Sequence, residues 1–572
     1  MSGWTRWMLA GAVLLGAVAV GLSAEVDDPQ DQLEPVGGLA FRDEIELTVV
    51  NLIVSVTDQG GEPVTDLTKD DFKVYQDGEL KPVTNFQIYT EDVFRKYSTS
   101  GPSMPPDPET PPTEVSEFEP RPVYLVMYVD HYNLNPLDRN RVLSQMERFV
   151  RDNVKPPVQM MVVSRLQSPE IVQDFTTESS QVIERLRGMR KISANRSSLE
   201  RDRAELVQTM QSREYNPNNL NSPLHMRSQI KNLIQEEITS LQFSLNSLRE
   251  IITMLSGLEG KKAIVYVSNG LPMVPGVDLF QTYASTYNDD SAFVEAVSYD
   301  QSKLFEALVS AANAQGVTFY TIDAGGLRAA GVATAEHTDS EDMRAASIGR
   351  QNYLDSLRFI ADGTGGLAII DTNDVRTRLD RVEQDLYTYY SIGYPLMQSG
   401  ADKVHDIKVR LPAHPDYEVR YRRRMVEKSL ETRVREKVLS ALRLDLDDNP
   451  MDLQLTPGLA GPASTDRWTL PLKVSFPASS VAMVPEGDDY VSRLVLFVAA
   501  RDSEGGQSEI IQQNHQVRVP ADSVERAQEH RFKIDVSLLM KEGRHTVSVG
   551  LLDQVTRQSS YQTIQARVPT SG

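Results

Sequence analysis

The chain has no cysteine and only eight histidines in 572 residues. Without cysteine there can be no disulfide, no thiolate zinc site and no lipid-modified cysteine anchor at the N-terminus. The histidines are scattered, with no His-x-x-x-His pair and none beside a nucleophile motif, so no metalloprotease or hydrolase constellation is visible. His131, beside Asp130, reads as a loop residue rather than a base. Phosphate-loop spacing is missing too, since Asp323-Ala-Gly-Gly and Gly363-Thr-Gly-Gly read as turns. Positive charge is in short supply. The 59 Lys and Arg against 80 Asp and Glu leave a net charge of -21, which excludes nucleic acid or an anionic membrane surface as the main partner.

Long apolar runs are confined to the N-terminus. Residues 1–6 are short and basic, 7–22 are apolar, and Leu22-Ser23-Ala24 offers a small residue before Glu25. This is the pattern of a secretory signal over 1–24, sending the protein to the periplasm or outside the cell. The alternative is an uncleaved signal that anchors it, and no second membrane segment follows. Residues 25–44 read as a flexible acidic leader.

What the chain does have is organised around 122–133, an apolar run that ends on Asp130. Val, Leu, Met and Tyr bounded by proline before and polar residues after read as a strand buried on both faces, of the parallel type. Asp130 then sits at the carboxyl edge of the sheet, where open α/β sheets bind ligands. Helical spacing at 137–150 and 179–189, and strand patterns at 158–166 and 171–175, continue a strand–helix alternation. It resumes with strands at 262–267, 317–323 and 367–370 and helices at 302–314, 353–361 and 375–387. Such alternation predicts a doubly wound α/β domain over 123–388 with parallel strands.

A helical hairpin interrupts it over 193–256, with its turn at 215–223. On the second arm Ile234, Ile238, Leu241, Leu245, Leu248, Ile252 and Leu255 step by alternating fours and threes, a narrow apolar seam. Either both arms pack on the sheet, or the hairpin projects as an arm that binds or dimerises. Period-two segments at 45–92 and 389–424 flank the α/β domain and are expected to pair into one discontinuous β sandwich. Residues 93–122 read as a proline-rich linker, 425–455 as a helical linker and 456–572 as a C-terminal, immunoglobulin-like all-β sandwich. Arg422-Arg423-Arg424 reads as an edge-strand or solvated cluster first, and as an anion site only distantly.

At Asp130 the α/β domain resembles the von Willebrand factor type A fold. More closely, the chain is similar to the secreted bacterial proteins related to that domain, of the kind abundant in acidobacteria. The resembling segments are Leu67-Thr-Lys-Asp-Asp-Phe-Lys-Val-Tyr-Gln-Asp-Gly, Val129-Asp-His-Tyr-Asn, Gly260-Lys-Lys-Ala-Ile-Val-Tyr-Val-Ser-Asn-Gly, Leu357-Arg-Phe-Ile-Ala-Asp-Gly-Thr-Gly-Gly and Tyr389-Tyr-Ser-Ile-Gly-Tyr. The resemblance implies a metal-ion-dependent adhesion site, made from Asp-x-Ser-x-Ser, a later threonine and a second aspartate around Mg²⁺. Asp130 matches its first position, but Tyr132 and Leu134 replace the two serines and Asn269 replaces the second aspartate. Asp130, Asn133 and Asn269 are the residues expected to form a degenerate site for Mg or Ca. The plainer alternative has Asp130 accepting backbone hydrogen bonds and capping the next helix. The whole reads as an exported, non-enzymatic protein–protein interaction protein. The alternative is a cell-envelope scaffold in which the type A domain is a spacer and the sandwiches bind.

Overall fold

The computed structural model describes residues 47–94, 122–192, 196–211, 222–327, 340–397, 402–444, 446, 448–464 and 467–569. Residues 1–46, which hold the expected signal and leader, the proline-rich stretch 95–121 and most of the expected hairpin turn lie outside the described residues. Those described form a mixed α/β chain with five sheets.

The central sheet has six strands, in the order Ala368–Ile369, Val317–Asp323, Lys261–Ser268, Val123–Asp130, Val158–Arg165, Pro169–Thr176. The first five run parallel, and Pro169–Thr176 is antiparallel to its neighbour, a reversal that the apolar pattern alone did not signal. In Val123–Asp130 every residue but Tyr124 is buried, as an apolar run with helices on both faces requires. One face packs on the helices Pro136–Asn153, Ser179–Met189 and Val375–Tyr387 through Val142, Met146, Leu186 and Leu379. The other packs on the end of Pro223–Leu255 and on Ser302–Gln315 and Ser340–Thr364, through Leu245, Leu248, Phe305 and Leu357. From Val123–Asp130 the chain first builds outward on one side and then returns to build the other. The strand order therefore reverses between Asp130 and Ser268, the point at which such sheets leave a crevice.

The strand Leu47–Thr57 lies between Tyr389–Met397 and Glu418–Tyr421, with Asn85–Tyr89 on the far side of Tyr389–Met397. A second sheet interleaves Arg424–Glu427, Lys403–Arg410, Lys73–Gln76 and Glu79–Lys81. Segments from before and after the α/β domain thus share one core of Leu52, Val54, Phe72, Val74, Ile392 and Val409. The Tyr390 hydroxyl ties a loop to it, accepting from the Leu67 N–H at 3.2 Å and donating to the Val64 carbonyl at 2.9 Å. Arg424–Glu427 falls at the start of the stretch expected as helical linker. It pairs as a strand because Met425 and Glu427 alternate onto the buried face, Met425 standing opposite the buried His405. The sandwich meets the α/β domain at Gly365, which adopts φ +77°. A Cβ there would lie 2.6 Å from the carbonyl carbon of Tyr421, so only glycine lets the two backbones approach.

The helix Leu430–Ala441, capped by Ser429, lies on the outer face of the last sandwich through Val434 and Val438 against Phe497, Leu552 and Tyr561. That sandwich encloses Leu472, Val474, Leu496, Val498, Val536, Leu538, Val549 and Leu551 between its sheets.

Candidate functional site

Asp130 ends its strand opposite Arg165, the last residue of the neighbouring parallel strand. Both side chains point to the face covered by Pro223–Leu255, where Tyr128 and Tyr266 pack with ring centroids 5.7 Å apart. Asp130 is 1% exposed and Arg165 2%. The Arg165 guanidinium donates to one Asp130 oxygen at 2.9 Å. The Tyr266 hydroxyl and the Asn133 side-chain amide each donate to the other oxygen at 2.7 Å. Asn133 also reaches the Ser244 hydroxyl at 3.2 Å, which fixes the loop after the strand to the long helix. The Tyr132 ring lies 5.1 Å from the guanidinium carbon, a cation–π contact.

The electrostatics follow from this burial. Burial alone would lower the Arg165 guanidinium, but the Asp130 charge beside it leaves its pKa raised. Burial, then the Asp130 charge, pushes the Tyr266 phenol well up, so it stays a neutral donor. Burial pushes His131 down to about 4, with the Arg139 charge adding to it, so the imidazole is neutral and acts as no cation here. Its Nδ1 lies 3.1 Å from the Arg139 guanidinium, which also donates to the carbonyls of Ile192 and Arg190. His131, in the 3-10 turn His131–Asn133 rather than a loop, thus packs against the arginine that holds this buried backbone.

Asp130 does not cap the following helix. That role belongs to Asn135, whose side chain accepts from the Leu137 N–H at 3.1 Å. Nor does the expected metal set assemble as a cage. A hard divalent cation needs several converging oxygens with an excess of negative charge. Here Asp130 faces three hydrogen donors and its charge is already balanced by a guanidinium. Asn133 presents its amide nitrogen, and the buried Asn269 side-chain amide makes no hydrogen bond, while its backbone N–H donates to the Asn133 carbonyl at 3.4 Å. Leu134, at the second serine position, is buried in the core of the opposite face. The residues around Asp130 do not fit Mg or Ca. No cluster of three His, Asp or Glu suited to a metal ion occurs among the described residues.

The second acid of this edge, Asp323, follows the same rule. It accepts from the Gly325 N–H at 2.8 Å and lies 3.6 Å from Arg350, which pairs with Asp371 as well. Sequence reading missed Arg165, Tyr266 and Ser244. The available signal for Arg165 was its place as the last residue of the next parallel strand, in register with the last residue of the first.

The crevice itself is covered. Helix Pro223–Leu255 packs on the sheet through Leu241–Leu255, and its first half rises past the carboxyl edge. There Met226, Ile230 and Ile234 pack on Leu279, Phe280 and Tyr283 of the helix Val277–Tyr287 and on Ala292 and Ala296 of Ser291–Val297. Arg203 of helix Arg196–Gln211 bridges Glu237 and Asp278 within this cap. Neither form of the hairpin expectation describes it, because one apolar stripe serves the sheet at one end and two unforeseen helices at the other. The long helix and the cap present apolar side chains outward, with Phe243 62% and Val294 77% exposed. No helix among the described residues is long and apolar enough to cross a membrane.

No protein-family model matches the chain, and neither does any curated protein. Among solved structures it is similar to an aerotolerance-related membrane protein from Bacteroides fragilis, at 10% identity and a TM-score of 0.20, over 46% of this chain and 98% of that one. BatB from Bacteroides thetaiotaomicron gives 10% identity and a TM-score of 0.21 over the same shares. The pilus adhesin SpaC from Lactobacillus rhamnosus GG gives 9% identity and a TM-score of 0.22, over 78% of this chain and 53% of that one. Likenesses this distant carry no argument about activity or partner.

Proposed function

We propose that the chain is an exported, non-enzymatic protein that binds other proteins, built on a type A α/β domain whose metal-ion-dependent adhesion site is degenerate. One observation carries the reading. Asp130, the charged residue at the switch point, has both carboxylate oxygens engaged within the chain and is sealed beneath a helix. A group so engaged neither holds a metal nor transfers a proton to a substrate, which leaves recognition to the outer surface. The outward Phe243 of the long helix and Leu224, Val294 and Val297 of the cap expose apolar area that a protein partner can bury. Export rests on the N-terminal signal, or on an anchor if it stays uncleaved.

The scaffold reading keeps one support of its own. A cavity of about 190 Å³ opens between strands Ile511–Pro520 and Arg531–Met540 of the last sandwich, lined by Val498, Ile511, Leu538 and Met540. The two readings separate by point substitution, each variant first checked for an unchanged melting temperature. Phe243→Asp with Val294→Asp is expected to abolish co-purification of partners from envelope extracts, while Ile511→Asp leaves it intact. The opposite pattern would move recognition to the sandwich.

A further inference from the structure

We infer that the Arg165 guanidinium is the resident cation of the sheet's carboxyl edge, doing with a side chain what a bound metal ion would otherwise do for the Asp130 carboxylate. The inference stands apart from what the cap binds, because it concerns only the buried cluster.

Three features of the edge converge on it. Asp130 and Arg165 end adjacent parallel strands in register, so the backbone delivers the two charges side by side without a loop having to place them. Each is almost fully buried, and a buried carboxylate needs a matched positive charge or it takes up a proton. The residues that depart from an oxygen-ligand set then acquire roles as a group. Tyr132 lays its ring by the guanidinium, Leu134 fills the core, and Asn133 and Tyr266 turn donors toward the oxygen that Arg165 leaves free. A metal would instead want oxygens at those places.

The consequence concerns how the edge behaves. A guanidinium does not dissociate and is not stripped by a chelator. It also offers no open coordination position to an incoming carboxylate. The edge is therefore a fixed joint between the sheet, the loop at Asn133 and the long helix at Ser244, not a gated binding point.

The test is thermal unfolding of the full chain with excess EDTA and then with Mg²⁺, Ca²⁺ or Mn²⁺. A metal that binds only the folded state raises Tm by mass action, and more at higher concentration. The wild type is expected to keep one Tm throughout. Arg165→Ser removes the guanidinium and lowers Tm, and no metal restores it, because one carboxylate among hydrogen-bond donors offers too few oxygens. A wild-type Tm that climbs with metal would overturn the inference, as would an Arg165→Ser chain as stable as the wild type. Should Arg165→Ser fail to fold, the pair Asp130→Asn with Arg165→Gln replaces the ion pair by neutral groups. It is expected to recover most of the Tm lost in either of those two substitutions alone. A double variant no better than the worse single one would show that the two side chains do not act as a pair.

Discussion

The two edges of the central sheet both bury positive charge, and they treat it differently. At the carboxyl edge Arg165 has a carboxylate to itself. At the amino edge Lys261 has none, because the nearby Asp385 is held by Arg420, with one bond at 2.7 Å. The Lys261 ammonium makes do with the Asp385 carbonyl and the face of Tyr389, 4.2 Å away. Burial pushes it down to about 7, the Asp385 charge opposing and the Arg420 charge assisting. Lys262, bonded to the Leu258 carbonyl at 3.0 Å, is pushed by burial down to about 8. Burial thus leaves a permanent charge at the guanidinium, whose own pKa is high and which has a dedicated carboxylate, and a titrating one at the ammoniums, which shift readily when buried.

Breaking the dedicated pair should have the largest effect. Arg165→Met leaves Asp130 buried and unmatched, and removing one partner of such a pair costs about 3–5 kcal/mol. Chemical denaturation of the full chain reads that loss as a lower midpoint. Lys261→Met, which removes an ammonium with no carboxylate of its own, should instead leave the midpoint near wild type or raise it at neutral pH. If the two substitutions cost the same, the contrast between the edges is wrong.

The next effect is a pH dependence that belongs to the amino edge alone. In the unfolded chain both lysines titrate near the usual 10.5, whereas folded Lys261 and Lys262 titrate near 7 and 8. Between those values the unfolded state holds more protons, so stability rises with pH across the window and falls as pH drops through it. The penalty is absent above about 10.5 and complete below about 7. Unfolding free energies measured across this range should climb by several kcal/mol in the wild type. They should climb much less in Lys261→Met with Lys262→Met, and a parallel climb in both chains would remove the lysines from the account.

Smaller again is the joint that closes the amino edge against the first sandwich. Gly365→Ala forces a side chain into a left-handed backbone at φ +77° and against Tyr421. Strain of this kind costs on the order of 1–3 kcal/mol. Gly78, also at positive φ but with nothing near a built Cβ, is the control that carries the conformational cost without the clash.

How much of this was legible from sequence depends on range. The Val123–Asp130 strand was plain, because an apolar run stopping at an aspartate has few other readings. The stripe on Pro223–Leu255 was legible as a stripe, yet its spacing is the same whether a sheet or a helix covers it, so its two partners were not. The helices Val277–Tyr287 and Ser291–Val297 escaped notice because Tyr, Ser, Thr and Ala blur a short amphipathic pattern. Their bounds are set by left-handed Gly276 and Asn288 and by Asp289, whose carboxylate accepts from the Ser291 N–H at 3.1 Å. At the site, Asp130 could be singled out by position, but its partner lies 35 residues away. That contact is a property of parallel register, which no local pattern encodes. The arginines at 165 and 350 are therefore the residues that turned an expected metal edge into a salt-bridged one.

The finest distinction concerns Tyr132, which occupies a place where an oxygen ligand was looked for. If its ring helps to hold the guanidinium, Tyr132→Leu keeps the apolar bulk and loses the ring's attraction, at a cost of about 1 kcal/mol. Tyr132→Phe, which keeps the ring and drops only the hydroxyl, should sit close to wild type. The decisive arm repeats both in Arg165→Met. With the guanidinium gone the ring has no charge to hold, and the difference between Leu and Phe should shrink toward zero. A difference that persists without Arg165 would make Tyr132 a packing residue, and the carboxyl edge would then rest on the ion pair and its two donors alone.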